Sequence, residues 1–339
     1  MCNSQFEAYR HAEKLDRPLL EAAGGREAFD SLAVDCPFVF EHDGKIWMLY
    51  VGFDGVGYQC AFAWAESPVG PFTRAQMVLR RGEGSGWDTR NAGANWILCD
   101  NDLWGVRRLK KHDGKYWMTY HSYPGDGYES GPGAIGLAYC EDESLVNWTR
   151  VEAPILHPED GAEWERGGLY KSCLLEHEGI FYLFYNAKND PPEGEMWHEQ
   201  TGLATSADFV NWTRHPQSPM MPVGVPGSWD SLFTSEPCVF YDSRAGRWVM
   251  FYFGFDGIHA QEGAAVSSDL LAWTKSPSPI ITVGGEGALD EWHAHKPSVL
   301  YHGGRLYHYF CACRPIREGD PAFGVYGEQR CITAAWRAV

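Results

Sequence analysis

Two carboxylates in this chain stand in matched settings. Asp35 lies in Val34-Asp35-Cys36-Pro37 and Glu236 in Ser235-Glu236-Pro237, with the two prolines 200 residues apart. Two carboxyl groups brought to one pocket can divide acid–base work, one protonating a leaving oxygen and the other activating water. Lys171, Lys296 and His295 occupy related positions, with Tyr170 and His293 beside them. Ionisable groups that converge on one funnel are costly to bury unless they are paired or used. Two lysines next to a catalytic acid would lower its pKa, which works against its task. That conflict eases if the lysines hold an anionic part of the substrate.

A repeat is what brings these residues into register. The segment starting at Phe29 (FDSLAVDCPFVFEHDGKIWMLYVGFDG) matches the one starting at Trp229 (WDSLFTSEPCVFYDSRAGRWVMFYFGFDG). Copies starting near residues 164 and 289 follow the same grammar, and one near 99 aligns through its Asp113-Gly114-Lys115 turn. The proline column then reads Pro37, Arg107, Ser172, Pro237, Pro297, a spacing of about 65. Each unit has an apolar run, a tight turn such as Asp43-Gly44 or Glu178-Gly179, and an alternating aromatic run such as KIWMLY or KYWMTY. That is a β-hairpin. A third strand ends on an aromatic, as in TGLATSADFVNWTR, and a short fourth follows, as in SPMMPV. Four strands in each of five units predict an all-β, five-bladed β-propeller forming one domain over 1–339. The last unit stops after its third strand, and RPLLEAAGGREAFD near the N-terminus resembles the missing fourth. The N-terminal strand is therefore expected to complete the last blade and close the ring, removing an exposed edge. Residues 3–15 read as a short helix with Phe6, Tyr9 and Ala12 on one face.

In a propeller the first strand of each blade lines the axis. The ring just before the proline column reads Cys36, Val106, Lys171, Glu236, Lys296, and the one before it Asp35, Gly105, Tyr170, Ser235, His295. These rings differ from blade to blade, as functional positions do. A column seven residues before the prolines is acidic throughout (Asp30, Asp100, Glu165, Asp230, Asp290) and reads as structural, its carboxylates accepting backbone N–H bonds. The least repeat-like segment, with Arg90, Asp102 and Trp104, is the expected carrier of specificity.

Composition sets the outer limits. The chain has 28 basic and 45 acidic side chains, a net charge of −17, which disfavours polyanions such as nucleic acid. No apolar run reaches the roughly 18 residues that span a bilayer. The ten cysteines show no CxxC pair, so neither a zinc site nor a disulfide framework is expected. With no apolar leader at the N-terminus, the expected location is the cytoplasm.

The pattern resembles the five-bladed propeller glycosidases of glycoside hydrolase families 43, 32, 62, 117 and 130. The motifs that carry it are Asp35-Cys36-Pro37, Glu236-Pro237, Tyr185-Asn186-Ala187-Lys188 and Asp208-Phe209-Val210-Asn211-Trp212-Thr213. The resemblance implies an inverting, exo-acting glycosidase that removes a terminal sugar from a small oligosaccharide. Asp35 would be the general base and Glu236 the general acid. Tyr170, Lys171, His293, His295, Lys296, Arg90, Asp102 and Trp104 would bind substrate. Lys171 stands where family 43 carries a third carboxylate, and Cys36 separates Asp35 from its proline. No cofactor or metal ligand is called for, although an axial His of this kind can sit by a bound calcium. Two other readings fit the residues. A phosphorylase like family 130 would hold phosphate on Lys171, Lys296 and nearby arginines, and a non-catalytic propeller would bind sugar without turnover.

Overall fold

The computed structural model describes residues 3–11, 13–25, 27–320 and 326–339. Almost every element is an antiparallel strand. The first unit is a four-stranded meander of Ala33–His42, Lys45–Phe53, Tyr58–Ala65 and Thr73–Leu79. The second is built on Gly93–Ile97, Lys115–Ser122, Ala134–Cys140 and Thr149–Arg150. The remaining units run together as one 13-stranded sheet, joined by single parallel pairings at Glu199–Phe233 and Ala260–His293. Their inner strands are Gly168–His177, Phe233–Asp242 and His293–His302. Each inner strand packs on the next, and the last packs on the first.

The N-terminal segment joins the C-terminal one. Leu20 pairs with Ile332 and Glu21 with Cys331, while Glu13 pairs with Trp336 and Lys14 with Ala335. The helix expected over 3–15 is shorter: a 3₁₀ helix covers Asn3–Tyr9, and Glu13–Lys14 is already strand. Phe6 and Tyr9 are buried, and Ala12 lies outside the described residues. The Tyr9 hydroxyl donates to Asp242 Oδ2 at 2.6 Å, which pins this helix beneath the fourth unit.

A polar latch recurs at the start of the units. Asp30 accepts from the Tyr50 hydroxyl at 3.1 Å and from Arg74 Nε at 2.8 Å. Asp88 is held by Tyr120 and Arg150, Glu165 by Tyr185 and Arg214, and Asp230 by Tyr252 and Lys275. Each carboxylate thereby ties the second strand to the fourth. In the last unit Asp290 meets Lys14 Nζ at 2.5 Å, so Lys14 does the work of a fourth-strand base. The latch is made mainly by side chains, with backbone N–H groups adding to it at Ser85 and Ala162. The aromatic beside the acid lies on the latch tyrosine, and a third-strand glycine makes room for it. A Cβ at Gly136, Gly202 or Gly263 would come within 2.6, 2.8 or 2.2 Å of Trp87, Trp164 or Trp229.

The second unit corrects the alignment drawn from the sequence. Its inner strand is Gly93–Ile97, so it begins near Trp87 rather than near residue 99, and the acid of its latch is Asp88 rather than Asp100. The register places Gly93, Ala94 and Asn95 where Gly105, Val106 and Arg107 were expected. After Ile97 the chain detours before returning at Lys111–His112 to pair with the second strand. Counting back from the Asp113-Gly114 turn therefore lands inside the detour. Arg107, from that detour, is fully buried with its guanidinium over Phe38, Trp96 and Phe240. Arg107 Nη1 donates to the Val299 carbonyl at 2.7 Å. It fills the space between the inner strands.

Replacing Lys14 with Met should leave the nearly buried Asp290 without its cation. We expect a loss of roughly 1–3 kcal/mol in urea unfolding, the usual cost of a stranded buried acceptor. Adding Asp290→Asn to Lys14→Met should recover part of that loss. An unchanged midpoint for Lys14→Met would mean that the N-terminal strand does not hold the last unit.

Candidate active site

All the inner strands break their ladder at the same level. The register shifts between Asp35 and Phe38, Ala94 and Trp96, Leu169 and Ser172, Ser235 and Cys238, and His295 and Ser298. A bulge re-aims the side chain it carries. Cys36, Glu236 and Lys296 sit at these bulges with φ of 49°, 55° and 69°, in the left-handed region that costs a non-glycine residue of order 1–3 kcal/mol. Together with Lys171 they point into one cavity of about 350 Å³. Tyr58, Tyr123, Tyr128 and Tyr170 pack together along its lining, as do Trp197, Phe233, Phe253 and Phe255, and Trp292 also lines it. Aromatic rings beside a few polar groups suit the mixed surface of a sugar. The first unit's Asp35 position is Gly93 in the second unit. A Cβ there would come within 2.6 Å of the His121 ring, so the glycine admits that histidine to the cavity.

The structure gives the two expected catalytic carboxylates unlike surroundings, with Lys296 Nζ between them. Glu236 lines the cavity, with Lys296 Nζ 3.6 Å from Oε1 and the Cys36 thiol 3.8 Å away. Burial pushes its carboxyl up to about 7, against the pull of Lys296 and Lys171 and with help from Asp35 and Glu129. Desolvation therefore outweighs the lysines. Asp35 sits behind the wall. Its Oδ1 accepts from the Cys36 amide, and its Oδ2 takes Lys296 Nζ and Arg330 Nη1, each at 2.7 Å, and the Tyr128 hydroxyl at 3.2 Å. Burial alone would raise it, but Lys296 and Arg330 hold its carboxyl well below the usual carboxylate range. A carboxylate held so far below the ordinary range by two cations is an anchor for those cations and a poor base for water.

Of the expected binding residues, Tyr170, Lys171, His293, His295 and Lys296 reach the cavity. Arg90 does not: it is mostly exposed and pairs with Asp126 at 3.1 Å. Asp102 and Trp104 lie at the opposite end of the inner strands. Asp102 bridges to Tyr241, and Trp104 Nε1 donates to Asp242 Oδ1 at 2.6 Å. Irregular sequence there marks the detour that carries Arg107, not a rim of the cavity.

Sequence reasoning missed the residues off the inner strands. Glu199 and Glu328 open the third strands of their units, and Arg330 follows Glu328. A meander returns its third strand to the same end as the start of its first, so Tyr58, Glu199, Ala260 and Glu328 all line the cavity. By register Tyr58, Glu199 and Ala260 share one position, which Arg330 takes in the last unit, two residues after Glu328; a charged residue at that position in two units was a readable signal. Glu199 accepts from Asn186 Nδ2 at 3.0 Å, Trp197 Nε1 at 3.0 Å and Ser235 Oγ at 2.6 Å. Glu328 is committed to Arg330 Nε at 2.6 Å, with His293 Nε2 at 3.6 Å. Tyr128 and Glu129 come from the loop between Ser122 and Ala134, and burial raises the Glu129 carboxyl.

His295 donates Nδ1–H to the Cys311 carbonyl at 3.0 Å, and burial lowers its basicity well below the ordinary histidine value. One of its ring nitrogens and the Cys311 and Cys313 thiols lie within 4.8 Å of one another. That set is soft, whereas calcium takes about six to eight oxygens. Lys296 and Arg330 nearby further oppose a cation. These residues do not fit the calcium that the family resemblance allowed.

Comparison with known proteins bears on the fold. No family model matches the chain. Its solved structural neighbours are glycoside hydrolases. The protein solved in a BT0996–RGII complex superposes with a TM-score of 0.81 at 27% identity, over 100% of this chain and 96% of that one. A glycoside hydrolase gives 0.80 at 27% identity, over 98% and 93%. A thermostable family-43 glycoside hydrolase shares the fold at a TM-score of 0.61 and 15% identity, over 88% of each chain. Among curated sequences, the insoluble β-fructofuranosidase isoenzyme CWINV1 of Arabidopsis thaliana is 27% identical over 137 residues, spanning 38% of this chain and 22% of that protein. The resemblance to propeller glycosidases is borne out.

Glu236 generates a stability prediction. Its raised pKa means that the folded state holds the proton more tightly than the unfolded chain does. This contribution is full below about 4.5 and is lost as pH rises through about 7. Glu236→Gln should therefore gain stability relative to wild type between pH 5 and pH 8, by at most roughly 3 kcal/mol. A difference that does not vary with pH in thermal unfolding would place the Glu236 carboxyl in solvent.

Proposed function

We propose that the chain is a single-domain, five-bladed propeller glycoside hydrolase that removes a terminal sugar from a small oligosaccharide. One observation carries the reading: a buried carboxyl pushed up to about 7 shares a cavity with a second carboxylate that accepts three hydrogen bonds. Environments that set two carboxyl groups apart are how acid and base roles are divided. Glu236 gives its proton to the glycosidic oxygen as the bond from that oxygen to the anomeric carbon breaks. Glu199 takes a proton from the water whose oxygen joins that carbon. Asp35 holds Lys296 and Arg330 in place, so Lys296 does not strip Glu236 of its proton.

Arg107 and its aromatic cage fill the axis beyond the bulges, which favours attack on a chain end over cleavage within a chain. Hydrolysis is favoured over phosphorolysis because Lys296 and Arg330 are already committed to carboxylates. A reducing compartment such as the cytoplasm suits the nine described cysteines, all buried and free. No helix among the described residues is long and apolar enough to cross a membrane.

Glu236→Gln and Glu199→Gln should each lower kcat about 10²–10⁴-fold with folding intact. The wild-type rate should fall as pH rises past about 7, where Glu236 loses its proton. Asp35→Asn removes a negative charge that raises Glu236 and frees Lys296, so the alkaline limb should move to lower pH. Full activity in both Gln variants would remove this pair from the mechanism. An Asp35→Asn profile with an unmoved alkaline limb would remove the proposed link between Asp35 and Glu236.

A further inference from the structure

The two lysines of the inner ring are not equivalent. Lys296 is taken up by Asp35 at 2.7 Å and Glu236 at 3.6 Å. Lys171 is equally buried, at 3% exposure, yet its ammonium has no hydrogen-bond partner and no carboxylate within 4.0 Å among the described residues. It lines the cavity from the unit next to that of Glu236. An ammonium withdrawn from water without a partner costs several kcal/mol, so a protein keeps one only where something compensates it. At the rim, Lys188 lies over the rings of Tyr170 and Trp197, 5.0 and 5.4 Å from their centres, and has no carboxylate partner among the described residues.

The charges around Lys171 narrow what the partner can be. Asp35 and Glu328 are spent on Lys296 and Arg330, and Glu199 on neutral donors. Burial pushes Glu236 and Glu129 toward their neutral forms. An uncharged sugar would leave Lys171 uncompensated. A dianion such as phosphate would bring two charges to the one free ammonium that lines the cavity, beside four glutamates, while Lys188 stays on its aromatic rings outside that lining. One carboxylate matches one cation. We infer that Lys171 is the docking point for a carboxylate on the sugar bound in the cavity, and that the substrate is an acidic, uronate-type glycoside. This deepens the hydrolase reading and rests on it, because it names the sugar that Glu236 would act beside.

Binding tests the inference apart from turnover. Glucuronate, galacturonate, their neutral counterparts glucose and galactose, and inorganic phosphate would each be titrated into the wild-type chain by calorimetry. At least one uronate should bind about tenfold or more tighter than its neutral counterpart and tighter than phosphate. Lys171→Met should reduce that preference about tenfold or more, and Lys171→Arg should retain most of it, which separates lost charge from misfolding. Phosphate binding tighter than either uronate would overturn the inference in favour of an inorganic anion site. Equal binding of acidic and neutral sugars, or a preference that survives in Lys171→Met, would overturn it outright. Uronate selectivity without release of reducing sugar from uronide-bearing oligosaccharides would instead sink the hydrolase reading and leave the carboxylate site standing.

Discussion

The site depends on one backbone irregularity, repeated. An unbroken inner strand would alternate its side chains between its two neighbouring sheets and present none of them along the axis. The bulge between Asp35 and Phe38, and its counterparts in the other inner strands, turn Cys36, Lys171, Glu236 and Lys296 into the cavity. Three of these residues bear a left-handed conformation that no glycine relieves. Such strain persists only where surrounding structure fixes it. In the first four units the latches tie second to fourth strand, with the latch tyrosine on the strand opposite the bulge.

What the bulges deliver is a set of charges whose protonation is decided by competition between burial and pairing. Asp35 and Glu236 are both buried, and desolvation pushes both carboxyl groups up. Asp35 has two cations at 2.7 Å and ends far below the ordinary range. Glu236 has one at 3.6 Å, already shared, and ends at about 7. The longer distance and the sharing divide the roles. A carboxylate beside two cations is an electrostatic anchor, and one left half-paired in an aromatic cavity can carry a proton to a substrate.

Much of this was legible in the residues. The repeat of Asp-Ser-Leu and proline, the turns and the aromatic alternation located the inner strands of four units and placed Glu236, Lys171 and Lys296 on one ring. The N-terminal strand was legible too, because the last unit lacks its fourth. The second unit was misread for a physical reason. Its strand leaves the sheet after Ile97, and a turn-based alignment cannot see a detour that returns to the same hairpin. Asp35 was placed correctly on its strand, but its role depends on Arg330, which is 295 residues away in sequence and pairs with it only once the last unit meets the first. Glu199 and Arg330 were within reach of the repeat argument, had the third strands been aligned as the first ones were.

The central claim is that Glu236 protonates the departing oxygen. Its most direct test is leaving-group dependence in Glu236→Ala, comparing aryl glycosides whose leaving groups differ widely in acidity. A dinitrophenolate departs without a proton, whereas an alcohol cannot. The account predicts that Glu236→Ala loses about 10²–10⁴-fold on alkyl glycosides and nearly nothing on dinitrophenyl glycosides of the same sugar. An equal loss on both classes would show that Glu236 does not donate the proton.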